Sequence, residues 1–190
     1  MSPLEIIAVI LGLANIILIV RRSLWNYPFG IAMVSLYFFI FVDAKLYSDA
    51  LLQIFFLILN IYGWLNWNGA RSDEGDVPVR WQGRRLFAIW AGIGLAASLG
   101  WGLLMHRYTD ASHPYWDASV AMLSVLAQLL LARRFIDNWV WWIIVDCLAI
   151  PLYWVKGLHL TAGLYVIFLI LSATGLREWT RARRRIAATA

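Results

Sequence analysis

The chain repeats itself without a gap at a constant offset of 112 residues, which limits the fold to two copies of one unit. Arg21-Arg22-Ser23-Leu24-Trp25-Asn26 aligns with Arg133-Arg134-Phe135-Ile136-Asp137-Asn138. Phe56-Leu57-Ile58-Leu59 aligns with Phe168-Leu169-Ile170-Leu171, and Gly63 with Trp67 aligns with Gly175 with Trp179. From Leu4–Trp67 to Trp116–Trp179 about a quarter of the paired positions are identical. Both copies consist mainly of apolar runs of membrane length. Weak internal symmetry of this kind marks a transporter built from two related bundles, with its substrate site at the seam between them.

Composition agrees with a membrane location. Hydrophobic residues make up 62% of the chain and charged residues 14%, against about 25% charged in a soluble domain. The mean hydropathy is +0.70. The single cysteine, Cys147, lies in an apolar run, so no intramolecular disulfide or cysteine metal cluster is expected. A pI near 9.7 would suggest nucleic acid in a soluble protein. Here the arginines fall between apolar spans, where they read as orientation signals. The N-terminus does not read as a cleavable signal, because Arg21 and Arg22 follow the first apolar run instead of preceding it.

A hydrocarbon core about 30 Å thick needs about 20 apolar helical residues. Runs of that kind lie at Leu4–Val20, Tyr27–Val42, Tyr47–Trp67, Leu86–Met105, Trp116–Ala132, Asn138–Val155 and Leu160–Leu176. With seven spans, one set of loops holds only Lys45, Arg107 and Lys156. The other set holds the remaining thirteen of the sixteen Lys and Arg residues. Cytoplasmic loops carry the excess of Lys and Arg, so the N-terminus is expected outside and the C-terminus inside. Three spans per copy plus one linking span give both copies the same direction, a parallel repeat in an all-α, 3+1+3 membrane fold. The expected division is 1–67 for the first repeat and 68–115 for a cytoplasmic loop, linking helix and outer loop. The second repeat is 116–179, and 180–190 is a basic tail. The loop Asn68–Arg85 reads as a polar connector, and the linking span Leu86–Met105 is rich in Gly and Ala, which permits close helix packing.

Polar residues recur along single faces of three spans. On the third, Asp49, Gln53, Phe56, Asn60, Trp64 and Trp67 follow three- and four-residue steps. On the seventh, Thr161, Tyr165, Phe168, Ser172, Gly175 and Trp179 do the same. An uncompensated amide in hydrocarbon is costly, so these faces point into the bundle or into water. Ser172, Thr161 and Gly175 read as helix–helix glue, whereas Gln53 and Asn60 read as ligand contacts. The sixth span carries Trp139, Trp142, Asp146, Ala149 and Tyr153 on one broad face. Asp146 falls near mid-membrane, where an aspartate costs about 2.5–3.5 kcal/mol on insertion scales. Its alternatives are a functional carboxylate or a structural hydrogen bond. Trp25, Trp64, Trp67 and Trp139 fit an interfacial aromatic belt, and Trp142 lies deeper. Trp and Tyr faces attract cations by about 0.5–2 kcal/mol each. With a carboxylate and amides beside them, they suit a small, flat, cationic aromatic ligand. The first repeat has Gly30 and Val34 where the second has Trp142 and Asp146, so the site is asymmetric.

These residues carry a resemblance. Asn60-Ile61-Tyr62-Gly63-Trp64-Leu65-Asn66-Trp67, preceded by Asp49-Ala50-Leu51-Leu52-Gln53, resembles the signature of the bacterial nicotinamide riboside transporter family, PnuC. Asn138-Trp139-Val140-Trp141-Trp142 is similar to its Trp-x-x-Trp element, and Lys156-Gly157-Leu158 through Thr161 looks like its loop into the last helix. The resemblance runs from about Glu5 to Trp179. It implies a three-plus-one-plus-three fold similar to SWEET-type transporters. It also implies facilitated diffusion of nicotinamide riboside across the inner membrane, with cytoplasmic phosphorylation trapping the substrate, and a homotrimer. By motif, Gln53, Asn60, Trp139 and Trp142 line the site; helical spacing adds Asp146, Tyr153 and Tyr165.

Other readings share the scaffold. The same wider family includes thiamine and riboflavin carriers, and thiamine is also a flat cation. Proton coupling through Asp146 is a further alternative, although no relay residue is placed beside it. Catalysis is not expected: His106, His113 and His159 lack ligand spacing, and no Gly-x-Ser-x-Gly, phosphate loop or His-Glu-x-x-His occurs. No cofactor, metal or nucleic-acid partner is expected; the partners are a small-molecule substrate and the bilayer, which the basic tail Arg177–Arg185 could also touch.

Overall fold

The computed structural model describes residues 3–43, 47–71, 77–109 and 112–189. Lys45, one of the three cations expected on the sparse side, lies outside them. Among the described residues seven helices follow one another: α1 (Pro3–Val20), α2 (Asn26–Asp43), α3 (Tyr47–Gly69), α4 (Arg84–Tyr108), α5 (Pro114–Ala132), α6 (Asp137–Val155) and α7 (His159–Thr189). All seven are long and apolar enough to cross a membrane. Each expected span is found within a few residues, except that α7 runs on to Thr189. Beyond Gly175 the chain has no Gly or Pro and is rich in Arg and Ala. These residues favour helix, so the basic tail continues α7.

Helix contacts follow the 112-residue offset. The chain packs α1 on α2 and α2 on α3, then α5 on α6 and α6 on α7, while α4 leans on α5. The seams between the two sets are α3 against α5 and α1 against α7. The turns match as well. Arg22 and Arg134 both take positive φ, 56° and 63°. The Ser23 N–H donates to the Leu18 carbonyl (2.9 Å), and the Phe135 N–H donates to the Leu130 carbonyl (3.0 Å). This is the left-handed helix stop that usually takes glycine. In each turn an asparagine Nδ2 donates back to the carbonyl three residues earlier: Asn26 to Ser23 and Asn138 to Phe135, both 2.6 Å.

The ends of α1, α3, α5 and the lower part of α7 meet at the arginine-rich end. There the Trp67 Nε1–H donates to the Leu131 carbonyl (3.2 Å) and the Trp179 Nε1–H donates to the Ile19 carbonyl (3.1 Å). Each tryptophan thus reaches from its own repeat to the end of the first helix of the other. Their rings lie 5.6 Å apart, and both residues are fully buried.

The connector after α3 differs from the polar loop expected. Val77 and Val79 are buried in the cluster formed by Ile19, Tyr27, Trp67, Leu131, Ile136, Trp139 and Trp179. Val77 and Val79 are buried and Pro78 between them is exposed, the alternation of a strand-like segment. The segment is bonded to both turns. Arg22 Nη1 donates to the Val77 carbonyl (2.9 Å). The Arg80 N–H donates to the Arg134 carbonyl (3.2 Å), and the Ile136 N–H donates to the Arg80 carbonyl (2.9 Å). Gln82 N–H donates to Asp137 Oδ2 at 2.9 Å, and the Arg80 guanidinium sits 5.0 Å over the Phe135 ring. Burial, then the neighbouring Arg80, lowers the Arg134 guanidinium from its ordinary value.

Candidate functional site

The α6 face read from the sequence forms a ladder along the helix. Trp139, Asp146 and Tyr153 follow at seven-residue steps, about 10 Å each at 1.5 Å per residue. Their surroundings differ. Trp139 lies at the arginine-rich end, where its ring meets Trp179 edge-on, centroids 5.5 Å apart. It is packed against Gly175, where an added Cβ would come within 2.5 Å of the indole. The equivalent residue of the first repeat, Tyr27, does the same: it meets Trp67 edge-on at 5.4 Å and covers Gly63 at 2.7 Å from an added Cβ. Trp139 and Trp67 are therefore interior seam residues. The interfacial belt expected for them is corrected: indole rings whose N–H groups or edges serve the seam do not face lipid. Trp25, at 68% exposed, and the exposed Trp64 remain free to face it.

Asp146 stands at the midpoint of α6 and is 1% exposed. Ser172 of α7 donates its hydroxyl to Asp146 Oδ2 at 3.0 Å. Ser172, read as glue between helices, makes that interhelical bond, and its partner is the carboxylate itself. Among the described residues no Lys or Arg pairs with Asp146: Lys156 is bonded to Asp117 at 2.5 Å and Arg181 to Glu178 at 3.0 Å. Trp142, one turn from Asp146, is partly buried where the two apolar clusters of the protein adjoin. Towards the opposite end, Tyr153 and Tyr165 pair across α6 and α7 with ring centroids 5.1 Å apart, and Tyr165 meets Phe168 edge-on at 5.5 Å.

The first repeat fills the corresponding space with amides. Gln53 and Asn60 of α3 are both buried. Asn60 Nδ2 donates to the Phe56 carbonyl (2.8 Å), which leaves Oδ1 facing α2. A Cβ added at Gly30 would lie 2.7 Å from that oxygen and 2.8 Å from Asn15 Nδ2. Asn15 itself donates to the Asn26 carbonyl at 2.6 Å. Gly30 therefore makes room for two amides where its counterpart, Trp142, supplies a ring. Asn15 was missed in the sequence, although a lone asparagine in an otherwise apolar span is itself a signal. A hollow of about 470 Å³ lined by Trp81, Gly83, Arg84, Phe87 and Asp137 opens near the arginine-rich end and contains none of these residues.

Seven membrane-length helices, closed at one end by a reciprocal seam and carrying a polar ladder at mid-depth, define a multi-pass membrane transporter. The family described as nicotinamide mononucleotide transporter matches residues 2–181, and the chain belongs to it, a family of membrane transporters and not of enzymes. The nicotinamide riboside transporter PnuC of Escherichia coli K12 is 28% identical over 97% of this chain and 87% of its own length. The riboflavin/roseoflavin transporter RibM of Streptomyces davaonensis is 31% identical over 95% of this chain and 86% of its own. A crystal structure of the vitamin B3 transporter PnuC shares the fold, with a TM-score of 0.78 at 24% identity over 96% of this chain and 82% of that one.

Proposed function

We propose that this chain carries nicotinamide riboside across the bacterial inner membrane by facilitated diffusion, with phosphorylation on the cytoplasmic side trapping the substrate. The observation that carries the reading is Asp146: a buried carboxylate at mid-span, one turn from Trp142, bonded to a hydroxyl and, among the described residues, paired with no Lys or Arg. A pyridinium ring supplies the missing charge and a flat face for the indole. The amides of Gln53 and Asn60 suit a carboxamide and a ribose, and Tyr153 and Tyr165 extend the lining. Trp139 enters the site from the seam side when that end moves. A mononucleotide fits less well, because its phosphate would need cations that the ladder lacks.

The bodies that move are the repeats 1–67 and 116–179, rocking about the mid-membrane site, with 68–115 linking them and 180–190 as the basic tail. The arginine-rich end faces the cytoplasm, with the N-terminus outside, as the charge bias supports. The proposal includes the homotrimer implied by the resemblance, which light scattering of the detergent-solubilised protein tests.

The direct test is ligand binding to purified protein, followed by tryptophan quenching, with thiamine and riboflavin in parallel. Binding of the riboside at micromolar level or tighter, weakened at least about tenfold by Asn60→Ala or Trp142→Ala, is the expected result. Riboflavin is the second reading, favoured by the similarity to RibM. Tight riboflavin or thiamine binding with none of the riboside overturns the substrate. A proton-coupled cycle at Asp146 is tested by uptake into vesicles with the proton gradient collapsed.

A further inference from the structure

The 112-residue offset pairs Asp146 with Val34 and Ser172 with Asn60. Val34 and Asp146 are each 1% exposed. The scaffold therefore accepts an apolar side chain at this place, and packing does not require the carboxylate of the second repeat. Among the described residues one neutral donor is bonded to it. Ser172 Oγ lies 3.0 Å from Oδ2. On α6 the neighbouring polar side chains are Trp142 and Tyr153. The nearest cation on α6 is Lys156 at its C-terminal end, ten residues or about 15 Å along the axis, and it is engaged by Asp117. On α5, packed against α6, the charged side chain within the helix is Asp117, near its far end. A buried carboxylate without a countercharge is held at a cost that a cationic ligand removes and a neutral one does not.

We propose that Asp146, oriented by Ser172, makes this site select its ligand by charge: it takes a planar organic cation and discriminates against the same molecule made neutral. Ser172 is the positioning residue. Its hydroxyl fixes one carboxylate oxygen and leaves the other for the ligand. The inference rests on the substrate reading above and deepens it, since the riboflavin alternative is an uncharged ligand.

Nicotinamide riboside and its reduced dihydropyridine form have nearly the same shape and differ by one positive charge. Their affinities for the purified protein, measured by calorimetry, give a cation-to-neutral ratio. The native protein is expected to prefer the cation by at least about tenfold, the scale of a close charge pair. Asp146→Asn keeps the volume and is expected to bring the ratio within about threefold, the remainder coming from the indole of Trp142. Ser172→Ala is expected to lower the ratio, and Ser172→Thr to restore it. If Asp146→Asn does not fold, the two Ser172 variants decide the matter. A loss of both affinities by equal factors in Ser172→Ala overturns its positioning role. A native ratio near one, or a ratio unchanged in Asp146→Asn, overturns charge selection while leaving riboside transport standing. Binding of neither form fails the substrate reading itself.

Discussion

The two repeats agree at the arginine-rich end and part company at mid-membrane. At that end the match extends to individual contacts: Trp67 and Trp179 each donate a hydrogen bond across the seam, to the Leu131 and Ile19 carbonyls, Tyr27 and Trp139 cover Gly63 and Gly175, and Arg22 and Arg134 turn the chain with the same left-handed geometry. One turn of helix away the pair is Gly30 with Trp142, and two turns away the pairs are Val34 with Asp146 and Asn60 with Ser172. Symmetry persists where the copies must fit each other and disappears where, on the function proposed above, an asymmetric molecule fits between them.

The sharpest way to break this comparison is at the tryptophans. Trp67→Ala and Trp179→Ala each remove a buried indole and its cross-seam bond, and each is expected to cost about 3–5 kcal/mol, the range for a large aromatic truncation. Thermal unfolding in detergent should show nearly equal losses; a wide gap between them would deny that the seam is energetically two-fold. The mid-membrane pair predicts the opposite pattern. Asp146→Val copies the first repeat, and replacing a buried charge by an apolar group is often neutral or stabilising. Stability should hold or rise, while riboside affinity falls at least about tenfold, or about 1.4 kcal/mol, in the same calorimetric titration. The smallest effect concerns the turns. A left-handed L-residue costs about 1–2 kcal/mol, so Arg134→Gly should raise the unfolding temperature slightly. Arg22→Gly should gain less, because it also gives up the bond from Arg22 to the Val77 carbonyl. Equal gains in the two variants would show that this bond contributes nothing.

Much of the architecture was legible because membrane helices announce themselves by length and apolarity alone. The spans were, and so was the ladder on α6, since Asp146 is the acidic residue in the middle of an apolar run. Three features were not. Hydropathy does not separate an indole in the seam from one at the lipid interface, so Trp67 and Trp139 read as belt residues, although the pairing of Trp67 with Trp179 points inward. The end of α7 was set by apolarity, whereas the helix itself continues through good helix formers to Thr189. The bond from Ser172 to Asp146 depends on the register of two helices 26 residues apart in sequence, which periodicity along either one does not contain. The alternation at Val77 and Val79 was a signal in the open, masked by the polar residues around it.

That buried connector has a use in time as well as in space. Its backbone-to-backbone bridge to the α5–α6 turn has two amides, those of Arg80 and Ile136, and so short a ladder has little protection apart from the closure it belongs to. Under the rocking motion proposed above, each parting of the repeats frees both amides to water. Their deuterium uptake then reports the fraction of time the closure stands open. A ligand that holds the repeats together slows it, and one that favours the parted form quickens it.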